Sequence, residues 1–188
     1  MSGILVVCTG NVCRSPYLER LLAAALPGVD VSSAGTMALV GDDIEPRVKA
    51  KLLERGVNAT GFASRQLQPA MAEQADLVIT ASREHQRKVL RNAPRAMRRT
   101  FTLRELADAL AADAPVHAQE GGLPAVVARA VALRGRGPSR TDEECTVPDP
   151  YGKPDEVVSA MSAYVDDALP PIIRAIEVAL QGPAGGDQ

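Results

Sequence analysis

Apolar positions along this chain fall into two rhythms. Short unbroken runs, of which Ile4-Leu5-Val6-Val7 is the clearest, read as parallel strands covered on both faces. Longer stretches in which apolar residues return every three or four positions read as helices, as with Leu18, Leu21, Leu22 and Ala25. The pattern predicts strands near 3–8, 28–33, 76–80 and 98–101, and helices near 15–26, 45–55, 69–74, 83–91, 102–112 and 155–180. Pro16 falls in a first helical turn, where its missing N–H costs nothing, and Thr102 with Glu105 makes a capping box ahead of Leu103, Leu106, Ala107 and Leu110. The last helix carries Met161, Tyr164, Val165, Leu169 and Ile172 on its apolar face, and Pro170-Pro171 is expected to kink or divide it. Strands alternating with helices imply an α/β fold with a doubly wound sheet, whose ligands sit beyond the carboxyl ends of the strands. Residues 113–146 resist this reading, with polar or Pro/Gly-rich ends around a short helical pattern from Leu123 to Leu133. Gly182 to Gln188 is expected to be a disordered tail.

The segment directly behind the first strand carries the chemistry. Cys8-Thr9-Gly10-Asn11-Val12-Cys13-Arg14-Ser15-Pro16 places a thiol and a guanidinium around a loop at a helix N-terminus, where unpaired N–H groups and the positive end of the macrodipole attract an anion. A thiol in that field ionises more readily, which makes Cys8 the candidate nucleophile. Arg14 can present a planar fork of donors to two phosphoryl oxygens, and the backbone from Thr9 through Cys13 can supply the rest of a phosphate cradle. The Ser15 hydroxyl can donate to the Cys8 thiolate. Asn11 tolerates a left-handed backbone, and its side chain can pin the loop. The competing reading is a buried strand-end thiol beside an ordinary helix-start arginine.

This loop resembles the signature of the low-molecular-weight protein tyrosine phosphatases, Cys-x5-Arg-Ser near the N-terminus with a helix behind it. Val147-Pro148-Asp149-Pro150-Tyr151-Gly152 resembles the element that carries the general acid in the same family, although its composition also suits a plain turn. The resemblance implies Asp149 as general acid and then base, Tyr151 as a pocket wall, and Ser33 supporting Asn11. It narrows the fold to a flavodoxin-like three-layer arrangement, a four-stranded parallel sheet in the order 2-1-3-4 flanked by helices. One phosphatase-like domain is expected over 1–181, with an insertion at about 113–146 that either flanks the active site or is a mobile surface excursion. Phe62 stands where many relatives have His, and Ala81-Ser82 where they have Met-Asp, so the polar support around Asn11 is expected to be rewired. The implied function is phosphotyrosine hydrolysis through a cysteinyl-phosphate, needing no cofactor and releasing inorganic phosphate. Phosphotyrosine proteins are the implied partners, a bacterial tyrosine kinase among the candidates. Two rivals stay open: an arsenate reductase on the same fold, and a non-catalytic phosphotyrosine-binding module. Cys13 either forms a reversible disulfide with Cys8, as family members can, or is a small buried filler.

Composition narrows the partners further. The 188 residues are 46% hydrophobic with a net charge of −2, so there is no global basic field to draw nucleic acid or a membrane. Arg83, Arg87, Lys88, Arg91, Arg95, Arg98, Arg99 and Arg104 form a local basic stretch, read as a solvated helix face plus connector because stacking aromatics are scarce, with an acidic partner or an anionic substrate region as the alternative. No apolar run is long enough for a membrane span, and a strand starting at residue 3 or 4 leaves no room for a cleaved leader, which points to the cytoplasm. Three cysteines make no disulfide framework, and Cys145 is expected to be an exposed, incidental thiol. His85 and His117 share no ligand spacing with the cysteines, so no metal site is expected.

Overall fold

The computed structural model describes residues 3–111 and 121–181; His117 and the 182–188 tail lie outside the described residues. Four strands, β1 (Gly3–Cys8), β2 (Asp30–Gly35), β3 (Leu77–Thr80) and β4 (Thr100–Thr102), pair in parallel in the order β2-β1-β3-β4. This is the order that the resemblance implied. Around the sheet lie α1 (Arg14–Ala25), α2 (Pro46–Glu54), α3 (Pro69–Gln74), α4 (Arg83–Asn92), α5 (Leu103–Ala111), α6 (Gly122–Leu133) and α7 (Asp155–Gln181).

The unbroken apolar run in β1 has a simple cause. Successive side chains point to opposite faces, so Ile4, Val6 and Cys8 join one apolar layer while Leu5 and Val7 join another. The first layer is the larger and takes in Tyr17, Leu18, Leu106, Met161 and Ile172. The second is a thinner seam against Ala72, Val89 and Ala96. Both ends of β1's hydrogen-bonding edge are also occupied, by β2 and β3, so the strand is enclosed on every side. Its carboxyl end is therefore a rigid place from which to start a functional loop.

Local signals hold where chemistry is local. Thr102 Oγ1 accepts the Glu105 N–H while Glu105 accepts the Thr102 N–H, each at 3.1 Å, which completes the expected capping box. Three expectations are corrected. Of the two outcomes expected at Pro170-Pro171, division does not occur, and helix α7 is one element from Asp155 to Gln181. The carbonyls that the two prolines deprive of partners belong to exposed residues, Asp166 and Asp167, where solvent can replace the bond, while buried Ala168, Leu169 and Ile172 hold the same turns to the core. The fourth strand is shorter than expected, because Pro94–Arg99 forms a 3₁₀ turn that tucks Ala96 into the thin layer. Cys145 is fully buried rather than exposed. Thr141 and Glu144 cap each other, closing a turn that carries Cys145 inward, and Val147 N–H then bonds to the Ala81 carbonyl at the end of β3.

The described part of 113–146 is not a loose excursion either. Leu123, Val126 and Ala130 of α6 are buried in the larger core layer. None of residues 121–146 lines the pocket beside Cys8.

Gly35, at the end of β2, marks how closely the first loop is held. A Cβ there would stand 3.0 Å from the Ala38 backbone and closer still to the Thr9 carbonyl oxygen, both fixed atoms. Gly35→Ala is expected to cost about 1–3 kcal/mol in urea unfolding, through overpacking against a backbone that cannot give. An unchanged midpoint would show that the loop is softer than this contact implies.

Candidate active site

β1 ends at Cys8, five residues turn, and α1 begins at Arg14. The carbonyls of that turn are satisfied from outside. Thr36, Met37, Leu39 and Glu45 donate their N–H groups to the carbonyls of Cys8, Thr9, Gly10 and Val12, and Ser64 Oγ adds a second bond to Gly10. With its oxygens turned outward, the loop offers its N–H edge to the pocket. The N-cap of α1, Cys13, gives no side-chain bond to the first turn, so that helix end is also open to an anion.

Asn11 is fully buried with φ of 57°, the left-handed backbone that its residue type tolerates. Its Nδ2 donates to Ser15 Oγ at 2.9 Å and to Ser33 Oγ at 2.7 Å, and its Oδ1 accepts the Arg65 N–H at 2.8 Å. Ser33 in turn donates to Glu19 at 2.6 Å. The polarity of this chain has a consequence for the thiol. Ser15 Oγ accepts from Asn11 and still has its own proton to give, so it can donate to Cys8 Sγ, 3.0 Å away, whenever the sulfur is ionised. Cys8 itself is buried.

Arg14 is nearly enclosed, its side chain 6% exposed. One amino group donates to Asp149 Oδ2 at 2.7 Å and, more weakly, to Thr9 Oγ1 at 3.4 Å. Its Nε is buried without any acceptor. Asp149 is 39% exposed and accepts the Tyr151 N–H at 3.3 Å. A cavity of ≈ 160 Å³ lies between these groups, with Cys8, Thr9, Gly10, Val12, Cys13 and Arg14 as its floor and Met37, Leu39, Asp149 and Tyr151 as its walls. The expected residues thus converge on one cavity, with Asn11, Ser15 and Ser33 behind its floor.

Three residues with a part in this site lack a role in the sequence reading. Glu19 ends the Asn11–Ser33 chain. It stands four residues after Ser15, one helical turn on, and that spacing was a usable signal. His85 sits 4% exposed with Nε2 2.8 Å from Thr9 Oγ1 and Nδ1 2.7 Å from Ser82 Oγ. Arg47 reaches from α2 to the acid loop, donating to the carbonyl of Lys153 at 2.6 Å and that of Pro150 at 3.4 Å while Glu45 steadies its other edge. No local pattern foretells a contact across a hundred residues. Phe62 takes no part in the Asn11 network and lies under the Arg20 guanidinium.

Two buried groups have displaced protonation equilibria. Burial pushes the Cys13 thiol up to about 12, with the carboxylates of Asp149 and Glu45 adding to the effect. Cys13 is therefore a neutral thiol beside the pocket. His85 is pushed down to about 4, first by burial and then by the positive charge of Arg14. All three cysteines are free. Among the described residues no group of three or more His, Cys, Asp or Glu is placed to hold a metal ion, and no helix is long and apolar enough to cross a membrane.

Known proteins resemble this chain in sequence and in fold. The family model for low molecular weight phosphotyrosine protein phosphatases matches residues 3–129, which includes the Cys8 loop and stops short of Asp149. Low molecular weight protein-tyrosine-phosphatase Etp of Escherichia coli strain K12 is 42% identical over 100 residues, 53% of this chain and 68% of that protein. The enzyme Wzb of the same strain is 30% identical over 165 residues, 88% of each chain. Among solved structures, Vibrio vulnificus Wzb in complex with benzylphosphonate superposes with a TM-score of 0.66 at 25% identity, covering 94% of this chain and 98% of that one. The YwlE arginine phosphatase from Geobacillus stearothermophilus gives 0.65 at 27% identity, covering 96% and 95%.

The buried imidazole makes stability depend on pH. Unfolded, His85 takes up a proton near 6.5; folded, it does so only near 4. Its stabilising contribution is therefore complete above 6.5 and is lost as pH falls toward 4, by up to about 3 kcal/mol. Chemical unfolding of the wild type and His85→Gln across that range is expected to show the difference between them shrinking by that amount in acid. A constant difference would mean that His85 titrates normally.

Proposed function

The chain belongs to the low molecular weight phosphotyrosine protein phosphatase family, and on that premise we propose that it hydrolyses phosphotyrosine in proteins through a cysteinyl-phosphate. Cys8 is the nucleophile, Arg14 the phosphate ligand, and Asp149 the general acid and then base. The observation that carries this reading is the convergence of the Cys8 thiol, the Arg14 guanidinium and the Asp149 carboxyl on one cavity, where the buried Nε of Arg14 has no acceptor. A phosphoryl oxygen would supply one.

The geometry supports a balanced sequence of steps. The phosphoryl dianion takes the place of Asp149 on Arg14, with the N–H edge of the loop around its remaining oxygens. Cys8 attacks phosphorus as the thiolate, the S–P bond forms, and the P–O bond to the phenol breaks as protonated Asp149 gives its proton to the leaving oxygen. Water then attacks phosphorus while Asp149 accepts its proton. The S–P bond breaks, inorganic phosphate leaves, and the Ser15 proton stabilises the departing thiolate.

The walls of the cavity suit a flat apolar leaving group. Leu39 and Met37 stand on one side, and the half-exposed ring of Tyr151 on another. An arsenate reductase that relays a disulfide needs further reachable thiols, and Cys145, the one cysteine after Cys13 in the sequence, is fully buried. A pure binding module has no use for an acid at the mouth or a hydroxyl aimed at the sulfur. Phosphotyrosine proteins are the proposed partners, and residues 1–181 are proposed to act as one domain.

Wild-type protein is expected to hydrolyse p-nitrophenyl phosphate under reducing conditions and to be inhibited by vanadate. Cys8→Ser should abolish turnover, and Asp149→Ala should lower kcat by about 100-fold or more. Folded, reduced wild type without activity would sink the phosphatase reading. With phosphopeptides, phosphotyrosine should be turned over ahead of phosphoserine and phosphoarginine, and equal or faster turnover of either would overturn the tyrosine assignment.

A further inference from the structure

Arg14 has two acceptors among the described residues, Asp149 at 2.7 Å and Thr9 Oγ1 at 3.4 Å. The reaction proposed above removes the first. A carboxyl that is to protonate a leaving group must itself carry the proton, and in that form it no longer pairs as an anion with a guanidinium. Thr9 is then the protein acceptor left to Arg14 while the phosphoryl group reacts.

Thr9 is itself held from behind. His85 Nε2 lies 2.8 Å from Thr9 Oγ1, and His85 Nδ1 lies 2.7 Å from Ser82 Oγ, which also accepts the His85 backbone N–H at 3.3 Å as the N-cap of α4. A ring bonded through both nitrogens cannot turn without losing a bond, and Ser82 anchors it to the helix that follows β3. In either neutral tautomer one nitrogen donates and the other accepts, and each hydroxyl can answer, so Thr9 keeps a lone pair for Arg14. The charged groups acting on the ring are Arg14, Glu84, Lys88 and Asp149, and burial outweighs them all in keeping it neutral. A cation here would push against Arg14.

We propose that His85 is a positioning residue for the reaction: by holding Thr9, it keeps an acceptor on Arg14 after Asp149 has let go. The inference rests on the phosphoryl-transfer reading of the Cys8 loop and adds to it a brace from the β3–α4 junction.

Two substitutions separate the two bonds of the ring. The amide of His85→Asn reaches about as far as Nδ1 and keeps Ser82, whereas that of His85→Gln reaches about as far as Nε2 and keeps Thr9. Thr9→Val removes the hydroxyl and leaves the ring in place. On p-nitrophenyl phosphate, His85→Asn and Thr9→Val are each expected to lose about 10- to 100-fold in kcat/KM and to bind vanadate more weakly by a similar factor. The double variant should lose no more than the worse single one, and His85→Gln should recover most of the loss. Melting temperatures report packing separately. Undiminished vanadate affinity in either single variant, multiplied losses in the double, or equal losses for Asn and Gln would overturn the proposal. If His85→Asn does not fold, Ser82→Ala, which frees the ring from its anchor, takes its place in the cycle with Thr9→Val. A wild type that binds vanadate without turning over any phosphomonoester would defeat the phosphatase reading, and the affinities would still test the brace.

Discussion

A loop that is to hold an anion must present its amide N–H groups inward, and so must have its carbonyls satisfied from outside. The whole active-site end of this protein is organised by that constraint. Asn11 sets the turn, with a left-handed backbone and side-chain bonds to Ser15 on α1, Ser33 on β2 and the Arg65 amide. The residues that follow β2 then take the outward carbonyls one after another, from Thr36 to Glu45. Gly35 lets that segment pass against Thr9, because no side chain would fit between them. Buried polar groups of this kind are stabilising only when all are paired, which is why the network closes on itself and ends at Glu19.

The proposed nucleophile and the proposed acid are held in different ways. Cys8 is built into the most enclosed strand of the sheet, and its neighbours are buried hydroxyls and amides whose donors and acceptors are matched. Asp149 lies on a half-exposed loop, moored at one end where Val147 bonds to the end of β3 and at the other by the Arg47 guanidinium on the carbonyls of Pro150 and Lys153. The difference suits the chemistry. A nucleophile must be aimed in line with one bond, whereas an acid must trade its partner on Arg14 for a leaving group and later for water. The Arg14–Asp149 ion pair is where the two halves meet, across 135 residues of chain. Cys13, beside Cys8 but pushed up to about 12, is left without the ionised form that would compete with Cys8 for a phosphoryl group.

Much of the site was legible because its core lies in one stretch of eight residues. Cys8, Asn11, Arg14 and Ser15 stand between a strand and a helix that their own apolar pattern announces, so the geometry of the turn follows from the order of the elements. Ser33 and Asp149 were reachable only through resemblance. Arg47 and His85 carried no local mark. Each is an ordinary member of a charged helix, and each matters through hydrogen bonds that fix a distant loop. The undivided α7 and the buried Cys145 differ from expectation for a related reason. A proline pair or a polar-flanked cysteine has a local tendency, and the burial of neighbouring residues outweighs it.

By itself the sequence determined the alternation of strands and helices, the loop between β1 and α1 and the candidate nucleophile within it, because hydrophobic period and turn chemistry act over a few residues at a time. Only the tertiary structure decided which hydroxyl lies against the sulfur, which acceptors share Arg14, and what holds Thr9 and the acid loop. Those contacts join positions from 5 to 135 residues apart, and direction in a hydrogen bond is settled only when every donor and acceptor around it has found its partner.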